Sequence, residues 1–362
     1  MRILGIETSC DETAAALVED GSKLISNVVA TQIDIHKEYG GVVPEIAARS
    51  HIEVINPVIN QAIAEANTDW DEIDAIAVTK GPGLSGSLLI GTLAARTLAI
   101  TKSKPLYPVN HVTAHVYANF LNNPQPVFPM LALIVSGGHT QLALFNDHLD
   151  YVLLGQTQDD AVGEAYDKVA KILGLDYPGG PSIEKASAYG DPSKYNLPKA
   201  KMPKREIQIP NSWPIYESQP RVETPYDFSF SGLKTAVLRR VQAELGKEHT
   251  FPSFELSELL DERQVNDFAA SFNRVAIETL VDKTLAAFTE FRPKSVVIAG
   301  GVAANSELRR QLQQAIPLEI NYADKSLCTD NAAMVATLGY YVSQRSSPTD
   351  PHLVTVEPSL KM

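Results

Sequence analysis

The sequence has few cysteines and no uninterrupted apolar run long enough to cross a membrane. Only Cys10 and Cys328 are cysteines, too few for the disulfide framework of a small secreted domain. The longest apolar stretch, residues 84–100, is interrupted by glycines and by Arg96, which predicts a core helix. The N-terminus carries acidic residues where a signal peptide needs apolar ones. The sequence therefore predicts a cytosolic protein with no membrane role.

Basic residues are also in deficit. The chain has 31 Lys and Arg against 43 Asp and Glu, for a formal net charge of −12. Proteins that attract nucleic acid through their overall field need the opposite balance, because phosphates are contacted by Lys and Arg. A nucleic-acid role would therefore need a partner or a local patch. The densest patch is Lys199, Lys201, Lys204 and Arg205, in a proline-spotted segment near residues 191–221 that is either a solvated loop or an interaction surface.

The remaining composition is that of an ordinary globular protein. Hydrophobic residues make up 44% of the 362 and charged residues 20%, so the whole chain is expected to fold. A chain of this length can form two domains, each with its own core. We therefore expect two lobes.

A strand-turn-strand pattern occurs twice. Residues 3–8 lead into the acidic tip Asp11-Glu12, and residues 13–19 return; residues 131–136 lead into Gly137-Gly138, and residues 140–145 return. Helical periodicity follows each hairpin, at residues 45–66 and 161–173, and a third strand and turn at residues 295–305 opens a helix at Ser306. The recurrence indicates two similar lobes.

Glycine at the hairpin tips favours a nucleotide site. Turn amides without covering side chains can approach a phosphate closely, and pockets for small molecules often form between lobes. The alternative is that Gly137-Gly138 and Gly300-Gly301 only turn the chain. Their joint placement after apolar strands favours the nucleotide interpretation.

Two histidines four residues apart, His111 and His115, are the sharpest local signal. On a helix this spacing puts both imidazoles on one face, close enough to share a metal ion. No glutamate follows the first histidine, so the general base of the zincin motif is missing there. Asp330 is the candidate third ligand, which would complete a set suited to non-haem Fe²⁺ or catalytic Zn²⁺. The alternatives are a purely structural histidine pair and an Asp330 that is a helix N-cap.

Seven sequence blocks carry a resemblance to a known family. They are Ile6-Glu-Thr-Ser-Cys-Asp-Glu-Thr13, Val43-Pro-Glu-Ile-Ala-Ala-Arg49, Gly81-Pro-Gly-Leu-Ser85, His111-Val-Thr-Ala-His115, Val135-Ser-Gly-Gly-His-Thr140, Phe230-Ser-Gly-Leu-Lys-Thr235 and Ala299-Gly-Gly-Val-Ala-Ala-Asn305. In this order they resemble the tRNA N6-adenosine threonylcarbamoyltransferases, in the form without a fused kinase. The segment near 191–221 is longer than in the shortest bacterial members.

The resemblance implies a fold. It is the α/β, two-lobed actin/hexokinase/Hsp70-like (ASKHA) fold, with duplicated ribonuclease H-like domains and an interlobe cleft. We expect an N-terminal lobe at 1–127 and a C-terminal lobe at 128–362, with the loop insertion near 191–221. The C-terminal helix is free to pack back on the N-terminal lobe.

The resemblance also implies a reaction. Threonylcarbamoyl passes from threonylcarbamoyl-AMP to N6 of the adenine 3′ of the anticodon (position 37) in tRNAs reading codons that start with A, and AMP is released. His111, His115 and Asp330 would hold Fe²⁺, with Zn²⁺ as the alternative. The adenylate would be bound by Ile134, Val135, Ser136, Gly137, Gly138, Asp167, Gly180, Glu184 and Asn305.

The attacking amine must lose a proton, and the first hairpin offers an acceptor. Asp11 or Glu12 is the candidate, because the acidic tip is expected to point into the cleft; the alternative is that both carboxylates order the turn or metal-bound waters. Besides tRNA, the resemblance implies protein partners. Bacterial relatives act with a degenerate, TsaB-like paralogue and a small, TsaE-like P-loop ATPase, whereas organellar relatives work alone as homodimers.

Three other functions compete with the transferase. A small-molecule kinase of the same fold would use the glycine turns to cradle ATP, but such kinases use carboxylates with Mg²⁺ and need no imidazole ligands. A non-catalytic nucleotide-binding scaffold would not need all three metal-ligand candidates. Metal-dependent peptide cleavage is disfavoured by the missing general base beside His111.

Overall fold

The computed structural model describes residues 1–121, 125–210, 212–213 and 221–362, and only the backbone of residues 221–224. The chain forms two compact units. The first consists of Met1–Pro126 together with Tyr322–Met362, and the second of Val127–Asn321. Among the helices of the described ranges, none combines the length and the apolar character that a membrane crossing requires.

Strands and helices alternate along the chain. The strands are β1 Arg2–Glu7, β2 Glu12–Glu19, β3 Lys23–Thr31, β4 Ala75–Gly81, β5 Leu106–Asn110, β6 Met130–Val135, β7 Thr140–Asp147, β8 Asp150–Gln156, β9 Arg205–Gln208, β10 Arg221–Thr224, β11 Ser295–Ala299 and β12 Ile320–Tyr322. The α-helices are α1 Ile33–Lys37, α2 Pro44–Glu65, α3 Ser85–Thr101, α4 His111–Tyr117, α5 Val162–Leu173, α6 Gly179–Ser187, α7 Ser231–Glu244, α8 Glu262–Phe291, α9 Ser306–Ala315, α10 Lys325–Cys328 and α11 Ala332–Ser343.

The two units each contain a five-stranded mixed sheet with the same strand order. In the first, the order is β3-β2-β1-β4-β5, with β1 to β3 antiparallel and β4 parallel to both β1 and β5. In the second, the order is β8-β7-β6-β11-β12, with β6 to β8 antiparallel and β11 parallel to β6. A three-strand meander continued by a parallel strand is the ribonuclease H-like topology. Its duplication confirms the predicted fold class.

The central strands and their helices follow from ordinary sequence signals. β6 is apolar at every position and fully buried, as expected for a strand covered on both faces. α2 begins at Pro44, where the missing amide proton costs nothing, and α5 ends at Gly174 in the left-handed conformation. The predicted helices at 45–66, 84–100, 161–173 and from Ser306 are confirmed as α2, α3, α5 and α9.

Acidic residues form ion pairs with two basic residues of the segment near 191–221. Its described part includes β9, which pairs with β10, whereas residues 211 and 214–220 lie outside the described residues. The Lys199 ammonium lies 2.9 Å from Glu278 and 2.7 Å from Asp282, and the Arg205 guanidinium lies 3.3 Å from Asp227. Two of the four positive charges in the patch are therefore compensated within the protein.

The helix α11 packs closely on the first sheet at a glycine. A Cβ added to Gly5 would lie 2.3 Å from the Ala332 carbonyl oxygen and 2.7 Å from the Ala336 amide nitrogen. Because both obstacles are backbone atoms, relief requires moving α11. We expect Gly5→Ala to lower the free energy of unfolding by about 3 kcal/mol, at the upper end of overpacking costs, measured by urea denaturation.

A matched glycine tests whether this effect is specific. A Cβ added to Gly232, in α7, meets no atom within 4 Å, so Gly232→Ala is expected to leave the free energy of unfolding unchanged or raise it by up to about 1 kcal/mol. An unfolding midpoint of Gly5→Ala equal to that of the wild type would contradict the packing between β1 and α11.

Candidate metal centre and nucleotide site

The two candidate metal-binding histidines lie on α4. The helix begins directly after β5 because Asn110 caps it, with its side-chain oxygen accepting a hydrogen bond from the Thr113 amide at 3.1 Å. One helical turn separates His111 from His115, and their ring centroids are 4.7 Å apart. Both imidazoles are buried. The cap thus fixes the face of the helix that presents them.

Asp330 reaches the same place from the other end of the chain. Its Oδ1 lies 3.2 Å from His115 Nε2 and 3.6 Å from His111 Nε2. The alternative that Asp330 is the N-cap of a helix is wrong, because Asn331 caps α11 by accepting from the Met334 amide at 3.0 Å. The carboxylate of Asp330 therefore lies with the histidines, one residue before the cap.

The three side chains fit a metal ion. One ligand atom from each of His111, His115 and Asp330 lies within 4.8 Å of the others. Metal–ligand bonds of about 2.1 Å place tetrahedral neighbours about 3.4 Å apart, close to the two distances to Asp330. Moreover, both ring nitrogens of His115, including the Nε2 that faces Asp330, are buried and have no hydrogen-bond partner in the part of the chain that the structure describes. Two imidazoles and a carboxylate suit Fe²⁺ or Zn²⁺, so this group could bind a metal.

A second carboxylate, Glu7 at the end of β1, contacts His111, the first residue of α4. Glu7 is fully buried, and its Oε2 lies 3.1 Å from His111 Nδ1. Burial by itself would raise the pKa of Glu7, but the charge and hydrogen bond of His111 and the hydrogen bond of Thr79 outweigh it. The pKa of Glu7 therefore lies below its ordinary value, and the residue is a carboxylate.

The charge state of His111 makes metal binding depend on pH. Burial would lower the pKa of His111, but the carboxylates of Asp330 and Glu7 outweigh it and raise that pKa to about 9. A metal ion binds only the neutral ring, so below pH 9 its binding must release a proton. We expect the apparent Zn²⁺ affinity to rise about tenfold from pH 7 to 8 and about fivefold from pH 8 to 9, as the pKa of His111 is approached, measured by competition with a chromophoric chelator. An affinity that does not change over this range, after correction for the chelator, would contradict the assignment.

The acidic hairpin tip lies within the electrostatic reach of this group. Burial first, and then the negative charges of Asp330 and Asp11, raise the pKa of Glu12 to about 10. Asp11 is buried beside it in the turn. This environment therefore strongly disfavours the ionised form of Glu12.

A buried histidine of α2 holds this tip in place. His51 Nε2 lies 3.0 Å from the Cys10 carbonyl oxygen, and its Nδ1 lies 2.7 Å from Thr13 Oγ1. A ring that donates to the carbonyl accepts from the hydroxyl. Burial lowers the pKa of His51, consistent with a neutral ring. Sequence reasoning missed His51, although it interrupts an otherwise apolar buried face of α2.

In the second unit, the predicted adenylate residues begin at the end of β6. Ile134, Val135 and Ser136 are buried, and Gly137-Gly138 form an exposed turn. The turn is closed by Ser136, whose amide donates to the His139 carbonyl at 2.8 Å. A Cβ added to either glycine would meet no atom within 4 Å, so there is open space where their side chains would be.

The helices α5 and α6 approach this turn. A Cβ on Gly163 would lie 2.6 Å from the Ser136 carbonyl oxygen, so glycine is required where α5 begins. From the same helix, Asp167 Oδ1 accepts a hydrogen bond from the Gly179 amide at 2.7 Å. Gly180 follows directly and has open space where a side chain would be. Asp167 and Gly180 are thereby held together.

The turn after β11 completes this group. Gly300 has φ 90°, and a Cβ there would lie 2.5 Å from the Val135 carbonyl oxygen. Glu184 Oε1 accepts from the Ser306 amide at 2.9 Å, and Asn305 caps α9 by accepting from the Leu308 amide at 2.9 Å. Contacts therefore link all the predicted adenylate residues of the second unit. The Glu184 carboxylate and the side-chain oxygen of Asn305 therefore both accept hydrogen bonds from amides in the first turn of α9.

The structure brings together three predicted metal ligands in one unit and nine predicted adenylate residues in the other. Sequence reasoning did not assign roles to Glu7 or Ser306, nor to the close approaches at Gly163 and Gly179. Glu7 had a visible signal: it is a charged residue in a strand whose other positions after Arg2 are apolar or glycine. The need for glycine at positions 163 and 179 depends on backbone atoms of other segments that lie close to them, so the sequence alone does not indicate it.

Comparisons with known proteins agree with the resemblance. Residues 23–337 match the family model described as tRNA N6-adenosine threonylcarbamoyltransferase. Proteins of that name from Thermomicrobium roseum and Dehalococcoides mccartyi are each 48% identical to this chain, covering 97% and 94% of it and 94% and 93% of their own lengths. The one from Dictyoglomus turgidum is 46% identical over 98% of this chain and 97% of its own. The chain therefore belongs to the tRNA N6-adenosine threonylcarbamoyltransferase family.

Proposed function

We propose that this protein transfers a threonylcarbamoyl group from threonylcarbamoyl-AMP to N6 of adenine 37 in tRNAs that read codons starting with A, releasing AMP. Family membership supports the reaction. The observation that carries the mechanism is the convergence of His111, His115 and Asp330 within 4.8 Å. Together with the acidic tip of the first hairpin, it supports a polar reaction assisted by a cation.

The reaction needs an activated acyl donor and a proton acceptor. The adenine amine shares its lone pair with the ring and is a weak nucleophile, so the donor carbonyl must be strongly electrophilic. The mixed anhydride with AMP meets this need. The amine nitrogen bonds to the carbonyl carbon, the bond from that carbon to the phosphate oxygen breaks, and one amine proton must leave. The adenine lies in the anticodon loop, where bases can be splayed out and stacked without opening a duplex.

The metal ligands contribute by holding a cation in a fixed place. His111, His115 and Asp330 would hold Fe²⁺, with Zn²⁺ as the alternative. When bound, such an ion acts as a Lewis acid on a carbonyl or phosphate oxygen, a contribution of several kcal/mol. Because one ligand set of three leaves further coordination positions open, a substrate oxygen can bind as well.

The proton acceptor is Glu12 or Asp11. Burial and the negative charges of Asp330 and Asp11 raise the pKa of Glu12 to about 10. A cation held by His111, His115 and Asp330 would offset these charges and so favour the ionised form of Glu12, which is the form that accepts a proton. His51 fixes the carbonyl of Cys10 directly before these residues, which limits the movement of the tip. Proton transfer to a positioned carboxylate then accompanies the attack of the amine.

The second unit binds the adenylate. The exposed glycine turn Gly137-Gly138 suits a phosphate. The carboxylate of Asp167 can accept from a ribose or threonyl hydroxyl, and the Asn305 amide nitrogen can donate to the adenosine. Glu184 acts by holding Ser306 at the start of α9. The remaining residues of this proposal are Ile134, Val135, Ser136 and Gly180.

The domain assignment and the partners are also proposals. The proposed lobes are 1–127 and 128–362, with the C-terminal helix α11 packing back on the first lobe, since Tyr322–Met362 belongs to the first compact unit. A TsaB-like paralogue and a TsaE-like P-loop ATPase, or alternatively a second copy of this chain, are the expected protein partners. A cytosolic location remains the expectation from the sequence.

A single-turnover assay tests this function. Metal-loaded protein, in excess over threonylcarbamoyl-AMP, is incubated with a tRNA transcript, alone and with the two expected partners, and the nucleosides are analysed by mass spectrometry. We expect threonylcarbamoyladenosine, and none from a transcript carrying guanosine at position 37. Absence of the product in both mixtures, with ATP consumed on a sugar instead, would support a kinase.

A further inference from the structure

A buried carboxylate that the proposed mechanism does not use supports one of the metal ligands. Glu7 is the last residue of β1, fully buried, and its side chain ends between β4 and α4. An ionised group in such a place is costly unless donors satisfy it. The contacts of Glu7 therefore indicate what it does.

Both oxygens of Glu7 accept hydrogen bonds. Oε1 accepts from the Ser9 amide at 2.5 Å, and Oε2 accepts from Thr79 Oγ1 at 2.6 Å. His111 Nδ1 lies 3.1 Å from the same Oε2. The Ser9 amide can only donate, and it fixes Oε1 as an acceptor. A carboxylate surrounded in this way can only accept a hydrogen bond from the imidazole.

The nitrogen Nδ1 of His111 has a second neighbour, which does not determine its protonation. Ser9 Oγ also lies 3.1 Å from Nδ1. A hydroxyl can donate or accept by rotating, so Ser9 is compatible with either tautomer. Of the two neutral tautomers, Glu7 is compatible with only one, in which Nδ1 carries the hydrogen and Nε2 keeps its lone pair. His111 Nε2 is the atom that lies 3.6 Å from Asp330.

We propose that Glu7 is a positioning residue, which holds His111 as the Nδ1–H tautomer and thereby makes Nε2 the metal-binding atom. The inference rests on the metal site of the proposed function. A carboxylate behind a metal-bound histidine fixes the ring orientation and increases its basicity. The other histidine differs: within the described residues, His115 Nδ1 has no hydrogen-bond partner. Glu7 thus acts on one ligand only.

Glutamine at position 7 would reverse the tautomer. Its carboxamide has one acceptor and one donor side, and the backbone amide of Ser9 can only face the acceptor. The NH₂ group is then directed at Thr79 and His111. The Thr79 hydroxyl can rotate and accept, but His111 Nδ1 must lose its hydrogen in order to accept, which places the hydrogen on Nε2. The ring would then present N–H to the metal.

The first test compares Zn²⁺ affinities, measured by chelator competition at one pH above 9, where the wild-type His111 ring is mainly neutral. We expect Glu7→Gln to weaken Zn²⁺ binding about 10- to 100-fold, the usual effect of losing such a partner. Glu19→Gln makes the same chemical change at a part-exposed ion pair with Arg2 in the same unit and is expected to leave the affinity unchanged. Ser9→Ala is expected to change it less than about threefold, because Ser9 does not select the tautomer. Wild-type affinity in Glu7→Gln, or an equal loss in Ser9→Ala, would overturn the proposal.

The second test observes the tautomer directly and does not depend on transfer activity. In ¹⁵N-histidine-labelled wild type, NMR should show a solvent-protected Nδ1–H of His111, both with and without Zn²⁺. The signal is assigned by its absence from His111→Gln, and it should also be lost in Glu7→Gln. This measurement on the wild type stands even if Glu7→Gln fails to fold. Wild-type protein with no Nδ1–H on His111 would refute the role of Glu7. A protected Nδ1–H in protein that forms no product would leave Glu7 in place and refute the proposed function instead.

Discussion

Removing the metal ligands is expected to lower single-turnover transfer to tRNA by about 1000-fold, equivalent to roughly 4 kcal/mol of lost transition-state stabilisation. The variants are Asp330→Asn, which keeps the size of the side chain and weakens its binding to a cation, and the double variant His111→Ala/His115→Ala. Each removes part of the ligand set proposed for the ion. Quenched-flow formation of the modified nucleoside, with protein in excess, measures the chemical step.

The control is a histidine of the same unit that is away from the site. His352 is exposed, so His352→Ala is expected to retain wild-type transfer and metal content. Metal analysis of anaerobically purified protein should find about one ion per wild-type chain and a loss in both ligand variants. Wild-type transfer by His111→Ala/His115→Ala would show that these residues have no role in the reaction.

The second large effect is expected at the hairpin tip. Glu12→Gln should lower single-turnover transfer by about 10²- to 10⁴-fold, the usual contribution of a positioned general base. The amide keeps the shape of the side chain but cannot accept the proton. Zn²⁺ affinity serves as the control readout, because the substitution leaves the three ligands intact. We expect the affinity to stay the same or rise, since metal binding no longer has to displace the proton of the Glu12 carboxyl.

Asp11→Asn is the matched comparison for Glu12→Gln. If Glu12 is the acceptor, Asp11→Asn should lose much less transfer; if Asp11 is the acceptor, the two losses exchange places. The buried position of Asp11 makes it sensitive to any change of volume, but Asn keeps its size. Full transfer by both variants would rule out a proton acceptor at this tip.

Local signals in the sequence were sufficient to predict much of the fold and part of the site. The spacing of His111 and His115 depends only on helical periodicity, so the shared face could be predicted without any tertiary information. The repeated hairpins predicted two similar lobes, because the strand-turn-strand pattern is also local in the sequence. Asp330 was placed by its motif, and the Asn331 cap explains why the helix begins one residue later.

Other contacts could not be read from the sequence because they join distant segments. Glu7 becomes a partner of His111 only when β1 lies beside β4 and the chain passes from β5 into α4. The charge of Lys199 is compensated by acidic residues of α8, far along the chain, which no count of local charge reveals. Glu184 was predicted as an adenylate ligand, but its observed partner is Ser306, through a turn formed after β11.

The most direct measurement of the central claim is anomalous X-ray diffraction from crystals of the protein loaded with Fe²⁺ or Zn²⁺. The account predicts an anomalous peak at coordination distance from His111 Nε2, His115 Nε2 and an oxygen of Asp330, with His111 Nδ1 turned to Glu7. Crystals of fully active protein whose only metal peak lies away from these three side chains would contradict it.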